Sequence, residues 1–195
     1  MIVAALAILL GQTAPLPTDP CAYDRAAMLA LPHEAFDQDQ NGGWRRIADV
    51  SGCEAAAADL IAEWRTENWI ALQPDQLHLN YWHEGQLRAA AEDRARAIPL
   101  LLAGVNPGGG DAAKADYALA TVAFLNNDRP ALEAARARMA ALPMPPEFVQ
   151  AAERFKATYG RELAWPLNLD VVDGLIACFG ETYSKAYGDC RHGAD

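Results

Sequence analysis

The residues that could do chemistry are few, and most lie in the first half of the chain. Asp37, Asp39 and Asn41 stand at alternate places, and Gly42 is sixth counted from Asp37. Alternating oxygens with glycine at the sixth place are what the sharp turn of a calcium loop requires. Such a loop also needs a bidentate Glu at its twelfth place, which here is Ala48; Asp49 comes one place late. Lacking that ligand, calcium affinity should collapse, and the stretch reads more simply as a turn leading into a helix at Trp44. No metal or other cofactor is expected, with Asp37, Asp39 and Asn41 as the outside candidates.

The remaining reactive types argue against built-in catalysis. His33, His78, His83 and His192 never fall four apart, and His78 and His83 diverge around a helix, so no zinc set forms. The two serines, Ser51 and Ser184, sit in no G-x-S-x-G turn. Gly108-Gly109-Gly110 is followed by Asp111 rather than Lys and Ser or Thr, so it is not a phosphate loop. Carboxylates could pair for acid–base work anywhere in so acidic a chain; Asp170 and Asp173 share a helical face and Glu181 follows, but no spacing singles them out. Four cysteines remain, and none are paired as C-x-x-C. Three pairings are possible; proximity favours Cys21–Cys53 and Cys178–Cys190, one staple near each end.

Those bridges need an oxidising compartment, and the first residues supply a route. Met1 to Leu10 is uncharged and mostly apolar, too short to span a bilayer but suited to a signal peptide. Residues 1–14 are therefore expected to be a cleaved signal, and 15–195 a single helical domain. Later runs are too short for a membrane span. Thirteen Arg against three Lys, with abundant Ala, fit a high-GC bacterial source, which makes the destination the periplasm or beyond. Net charge is −10, so phosphate backbones should be repelled and nucleic-acid binding is not expected. A solvated surface explains the charge, with an acidic face for a basic partner as the alternative.

Helices must position whatever the chain does. Alanine is plentiful while valine and isoleucine are few. A short helix is expected over 23–31, ended by Pro32, then a polar turn-rich connection over 33–43 and one or two helical turns over 44–50. Ala57, Leu60, Ile61 and Trp64 mark a helix over 53–68. Two helical hairpins follow, 75–91 with 94–104 and 111–125 with 128–142, turning on Asp93-Arg94 and Asp128-Arg129. Pro99 should kink the second arm or delay its start. Phe148, Ala152, Phe155 and Tyr159 mark a further helix, with Gly160 at its end. Val172, Leu175, Ile176 and Phe179 mark another, and 181–187 a last short one.

The Asp37–Gly42 stretch resembles the opening of an EF-hand loop. More of the chain, about 44–142, resembles tetratricopeptide repeats. The two Asp-Arg pairs lie 35 residues apart, near the repeat's period of about 34. Gly85 stands at the small position of a first helix, Asp93 in the turn, Ala97 and Leu101 at the small and large positions of a second helix. Leu119, Ala120 and Asp128 match in the next unit, and Gly52, Ala57 and Ile61 upstream. Glu84, Arg88 and Arg136 stand where the family has large apolar residues. The resemblance implies an all-α fold of stacked helical hairpins, which here would have disulfide-stapled ends. It also implies a concave groove lined by first-helix side chains and used to bind a peptide or protein. Matching positions are Trp82, Gln86, Lys114, Tyr117 and Thr121. The expected function is a non-catalytic interaction or scaffold module. The alternatives are an extracytoplasmic enzyme using helix-borne carboxylates and a calcium-dependent module.

Overall fold

A computed structural model describes residues 19–105 and 112–191. The expected signal at 1–14, the glycine-rich loop at 106–110, the Asp111 cap and His192 lie outside them. The described residues form helices without strands: α1 (Arg25–Leu29), α2 (Arg45–Ala48), α3 (Glu54–Asn68), α4 (Pro74–Ala90), α5 (Arg94–Ala103), α6 (Ala112–Leu125), α7 (Arg129–Ala140), α8 (Phe148–Tyr159), α9 (Leu169–Ala177) and α10 (Tyr183–Tyr187). The all-α class is as expected, and so are both bridges. Cys21–Cys53 and Cys178–Cys190 join Cα atoms 5.3 Å and 6.2 Å apart. None of the described helices is long and apolar enough to cross a membrane.

Local chemistry sets the ends of the two central hairpins. The Asp93 carboxylate caps α5 at the Arg96 amide, and Asp128 caps α7 at the Ala131 amide. Gln73 and Gln76 form a reciprocal box at the start of α4, with Pro74 in the first turn where it displaces no helical bond. Helices α4 and α5 pack along one another, as do α6 and α7. Gly85 permits the first of these contacts, because a Cβ there would lie 2.9 Å from both the Leu101 amide nitrogen and its Cγ. The two first helices meet through Trp82 and Tyr117, whose rings are 5.0 Å apart.

Two hydrophobic clusters result. Phe36, Trp44, Ile47, Leu60, Ile61 and Trp64 centre the first, around α3. Leu101, Phe124, Leu132, Met139, Val172 and Leu175 belong to the second, between α4 and α10. Where α3 meets α4 the contact is ionic as well as apolar. Arg65 pairs with Glu84 at 2.6 Å, and buried Arg88 pairs with Asp59 at 2.6 Å and with Glu84 at 3.3 Å. The polar residues at 84 and 88 are thus buried in pairs across this interface. Arg136 similarly grips Asp173 with two hydrogen bonds of 2.8 and 3.2 Å, fastening α7 to α9.

One local expectation is corrected, and one of two alternatives at Pro99 is settled. Residues 33–43 are not merely a polar connection. Glu34–Gln38 forms one π-helical turn in which Phe36 and Asp37 are wholly buried. Phe36 stacks flat on Trp64, rings 4.4 Å apart, and this long-range contact decides the local conformation. Pro99 does not delay α5, which runs through it from Arg94. One absent N–H is tolerated while Ala97 and Leu101 on either side are fully buried.

Candidate functional site

Helix α4 carries a stripe of Leu79, Trp82, His83, Gln86, Leu87 and Ala90, spaced by three and four along one face. All six line open space. Leu79, Trp82 and His83 border a cavity of about 700 Å³. His83, Gln86, Leu87 and Ala90 border a smaller one of about 270 Å³. His83 lines both, so the two cavities adjoin at this residue along one face of α4 and are together termed its groove. The start of α6 walls the wide end with Ala113, Lys114 and Tyr117, facing Pro143, Pro145 and Trp165. Trp165 is fixed by its indole N–H, which donates to the Leu142 carbonyl at 3.0 Å. Trp44, Tyr183, Ser184 and Tyr187 wall the narrow end.

His83 is held from behind. Its Nδ1 lies 2.8 Å from Asp37 Oδ1, across 46 residues of sequence. The same carboxylate accepts from Trp44 Nε1 at 3.1 Å and from Gln38 Nε2 at 2.6 Å, while Arg45 donates to the Asp37 carbonyl. His33 Nε2 lies 3.9 Å away on the other side. Burial pushes the Asp37 carboxyl up, but the hydrogen bond and charge of His83, joined by Trp44 and Gln38, outweigh it and hold the group below its ordinary value. Asp37 is therefore an ionised anchor joining the π turn, α2 and α4. The two nitrogens of an imidazole point apart, so a ring tied at Nδ1 aims Nε2 away from the anchor.

Of the five residues the repeat resemblance implied, Trp82, Lys114 and Tyr117 line the wide end and Gln86 the narrow end. Gln86 also donates to the Tyr117 hydroxyl at 3.5 Å. Trp82 and Tyr117 offer little more than an edge, being 6% and 4% exposed. Burial, and then the phenols of Tyr183 and Tyr187, push the Tyr117 hydroxyl well above the ordinary tyrosine value. Thr121 is a correction. It is fully buried, and its hydroxyl donates to the Tyr117 carbonyl one turn back instead of facing the groove.

The other candidate groups are placed elsewhere. Asp39 stays exposed and accepts from the Asn41 amide at 2.9 Å, a local turn, while the Asp37 carboxylate faces inward to protein donors. Among the described residues, no cluster of three or more His, Cys, Asp or Glu could hold a metal ion. Asp170 is bound by Arg191, Asp173 by Arg136 and Glu181 by Lys185. What sequence reasoning missed is the Asp37–His83 link. The signal within reach was the three-and-four spacing of His83 between Leu79, Trp82, Gln86 and Leu87.

Fold and site together define the class: an all-helical protein of stacked hairpins, stapled by two disulfides and grooved along α4. Compared with protein families, curated proteins and solved structures, the chain matches none.

Proposed function

We propose that the protein is a non-catalytic interaction module that binds a peptide segment of a partner along α4, in the periplasm or outside the cell. The observation that carries this reading is the single α4 stripe that lines both cavities. The wide end has the size of a small-ligand site and is walled by rigid aromatic and proline surface, which binds side chains with little loss of entropy. Two disulfides support an oxidising compartment. The tetratricopeptide likeness supports the same kind of binding, since Gln86, Lys114 and Tyr117 fall where that family lines its groove.

Selection of displayed random peptides on the oxidised protein tests this. Enriched peptides should share an apolar or aromatic anchor. They should lose binding to Leu79→Arg, which places a charge on the half-buried groove wall while leaving both clusters intact. Enriched peptides that bind Leu79→Arg as well as wild type would move the site elsewhere.

A further inference from the structure

The chain is strongly acidic, with 26 Asp and Glu against 16 Lys and Arg. Its groove is not. Among the described residues lining either cavity there is no Asp or Glu. Its polar lining carries N–H groups in place of carboxylates: the His83 ring, the Gln86 amide, which also serves the buried Tyr117 hydroxyl, Lys114 and Asn168. Behind the wall at His83 stands the Asp37 carboxylate, whose oxygens are already engaged by Trp44, Gln38 and His83. An acidic surface interrupted by a groove whose described lining holds donors and no carboxylate favours an acidic ligand at that groove over the rest of the surface, so the groove selects by position.

We propose that the groove is specific for a peptide carrying an acidic side chain beside an aromatic one. The aromatic ring seats at the wide end between Trp82, Tyr117 and Trp165, and the carboxylate accepts a hydrogen bond from His83 Nε2. Asp37 is a positioning residue. By accepting at Nδ1 it turns Nε2 outward, and a ring carrying a proton on each nitrogen donates to Asp37 on one side and to the ligand on the other. His33, Arg45 and Lys114 are the other charged or titratable groups around this ring and its anchor. The inference rests on the α4 groove being a peptide site, and names what that site prefers.

Three blocked peptides decide it: acetyl-Glu-Phe-Glu-amide, acetyl-Gln-Phe-Gln-amide and acetyl-Lys-Phe-Lys-amide. They contain no tryptophan, so binding is read from the emission of Trp44, Trp82 and Trp165 in the groove wall. The Glu peptide should bind at least about tenfold more tightly than the Gln peptide, as expected for one charge-assisted hydrogen bond. The Lys peptide should bind most weakly. In His83→Gln the Glu-to-Gln ratio should fall to about one, and His83→Lys should restore it. A Gln or Lys peptide as tight as the Glu peptide overturns the inference but leaves the groove as a peptide site. A ratio that survives His83→Gln overturns the role of His83. No response to any of the three at millimolar concentration, with native circular dichroism retained, overturns the inference and counts against the peptide reading too. The wild-type comparison needs no variant to fold.

Discussion

Removing the Asp37 carboxylate should destabilise the protein out of proportion to its size. In Asp37→Ala, Trp44 Nε1 and His83 Nδ1 lose their acceptor at sites that are 8% and 14% exposed. Each stranded donor costs about 1–3 kcal/mol, and breaking a buried charged pair typically costs about 3–5 kcal/mol in all. We therefore expect Asp37→Ala to lose about 3–5 kcal/mol. Asp37→Asn keeps one oxygen for Trp44 and His83 but sets its amide NH2 against the Gln38 amide, and should lose about 2 kcal/mol. Urea unfolding of the oxidised protein, followed by tryptophan emission and circular dichroism, measures both, provided the slope with denaturant is unchanged. Acid supplies a second check. The folded carboxyl titrates below its unfolded value, so as pH falls the unfolded chain takes up the proton first. The stabilisation is whole above the unfolded value near pH 4 and fades as pH drops through the lower, folded value. The gap between wild type and Asp37→Asn should accordingly shrink as pH falls below about 4. A loss for Asp37→Ala under about 1 kcal/mol, or a gap that widens in acid, would refute the anchoring role.

Other perturbations probe the frame around the groove. Gly85→Ala gains about 1 kcal/mol of helix propensity but drives a methyl to 2.9 Å from Leu101, so thermal unfolding should show a net loss of about 1–2 kcal/mol. Arg88→Met should cost about 3 kcal/mol by leaving Glu84 buried beside Arg65 alone, and adding Glu84→Leu should recover part of it, read as non-additivity in a double-mutant cycle. Replacing Cys21 and Cys53 by Ser opens a separation of 32 residues, and replacing Cys178 and Cys190 one of 12; loop entropy gives losses of about 4 and about 3 kcal/mol, so denaturation should rank the first pair as the more important.

Legibility in this sequence followed the range of the interaction. Asp93, Asp128, Pro130 and Gly160 act on backbone within one turn of themselves, and the caps and helix ends they announce are where the structure has them. The cysteines carried their pairing because short separations close cheaply. Thr121 misled because its hydroxyl bonds to the backbone of its own helix, which removes it from the surface that spacing alone would give it. The π turn at Glu34–Gln38 was hidden for the opposite reason. Its polar letters suggest solvent, while Phe36 and Asp37 answer to Trp64, Trp44 and His83, which lie elsewhere in the chain.

Helix α4 shows why a groove can be half read from sequence. It serves three neighbours at once. Asn80, Glu84 and Arg88 run down a buried polar face, with Glu84 and Arg88 meeting the charges of α3; Gly85 faces α5; and Leu79, Trp82, His83 and Gln86 look into the groove. A helix with only one buried face has an apolar stripe and a charged back, and periodicity finds it. A helix with three occupied faces has neither, so Glu84 and Arg88 look like departures from a repeat when they form ion pairs across an interface. The same crowding fixes the groove. With Glu84 and Arg88 paired to α3 on one side and Gly85 closed against Leu101 on another, α4 cannot turn without breaking buried contacts. His83 is then held by its helix as well as by Asp37, and a side chain fixed from two directions can discriminate between ligands differing by a single charge.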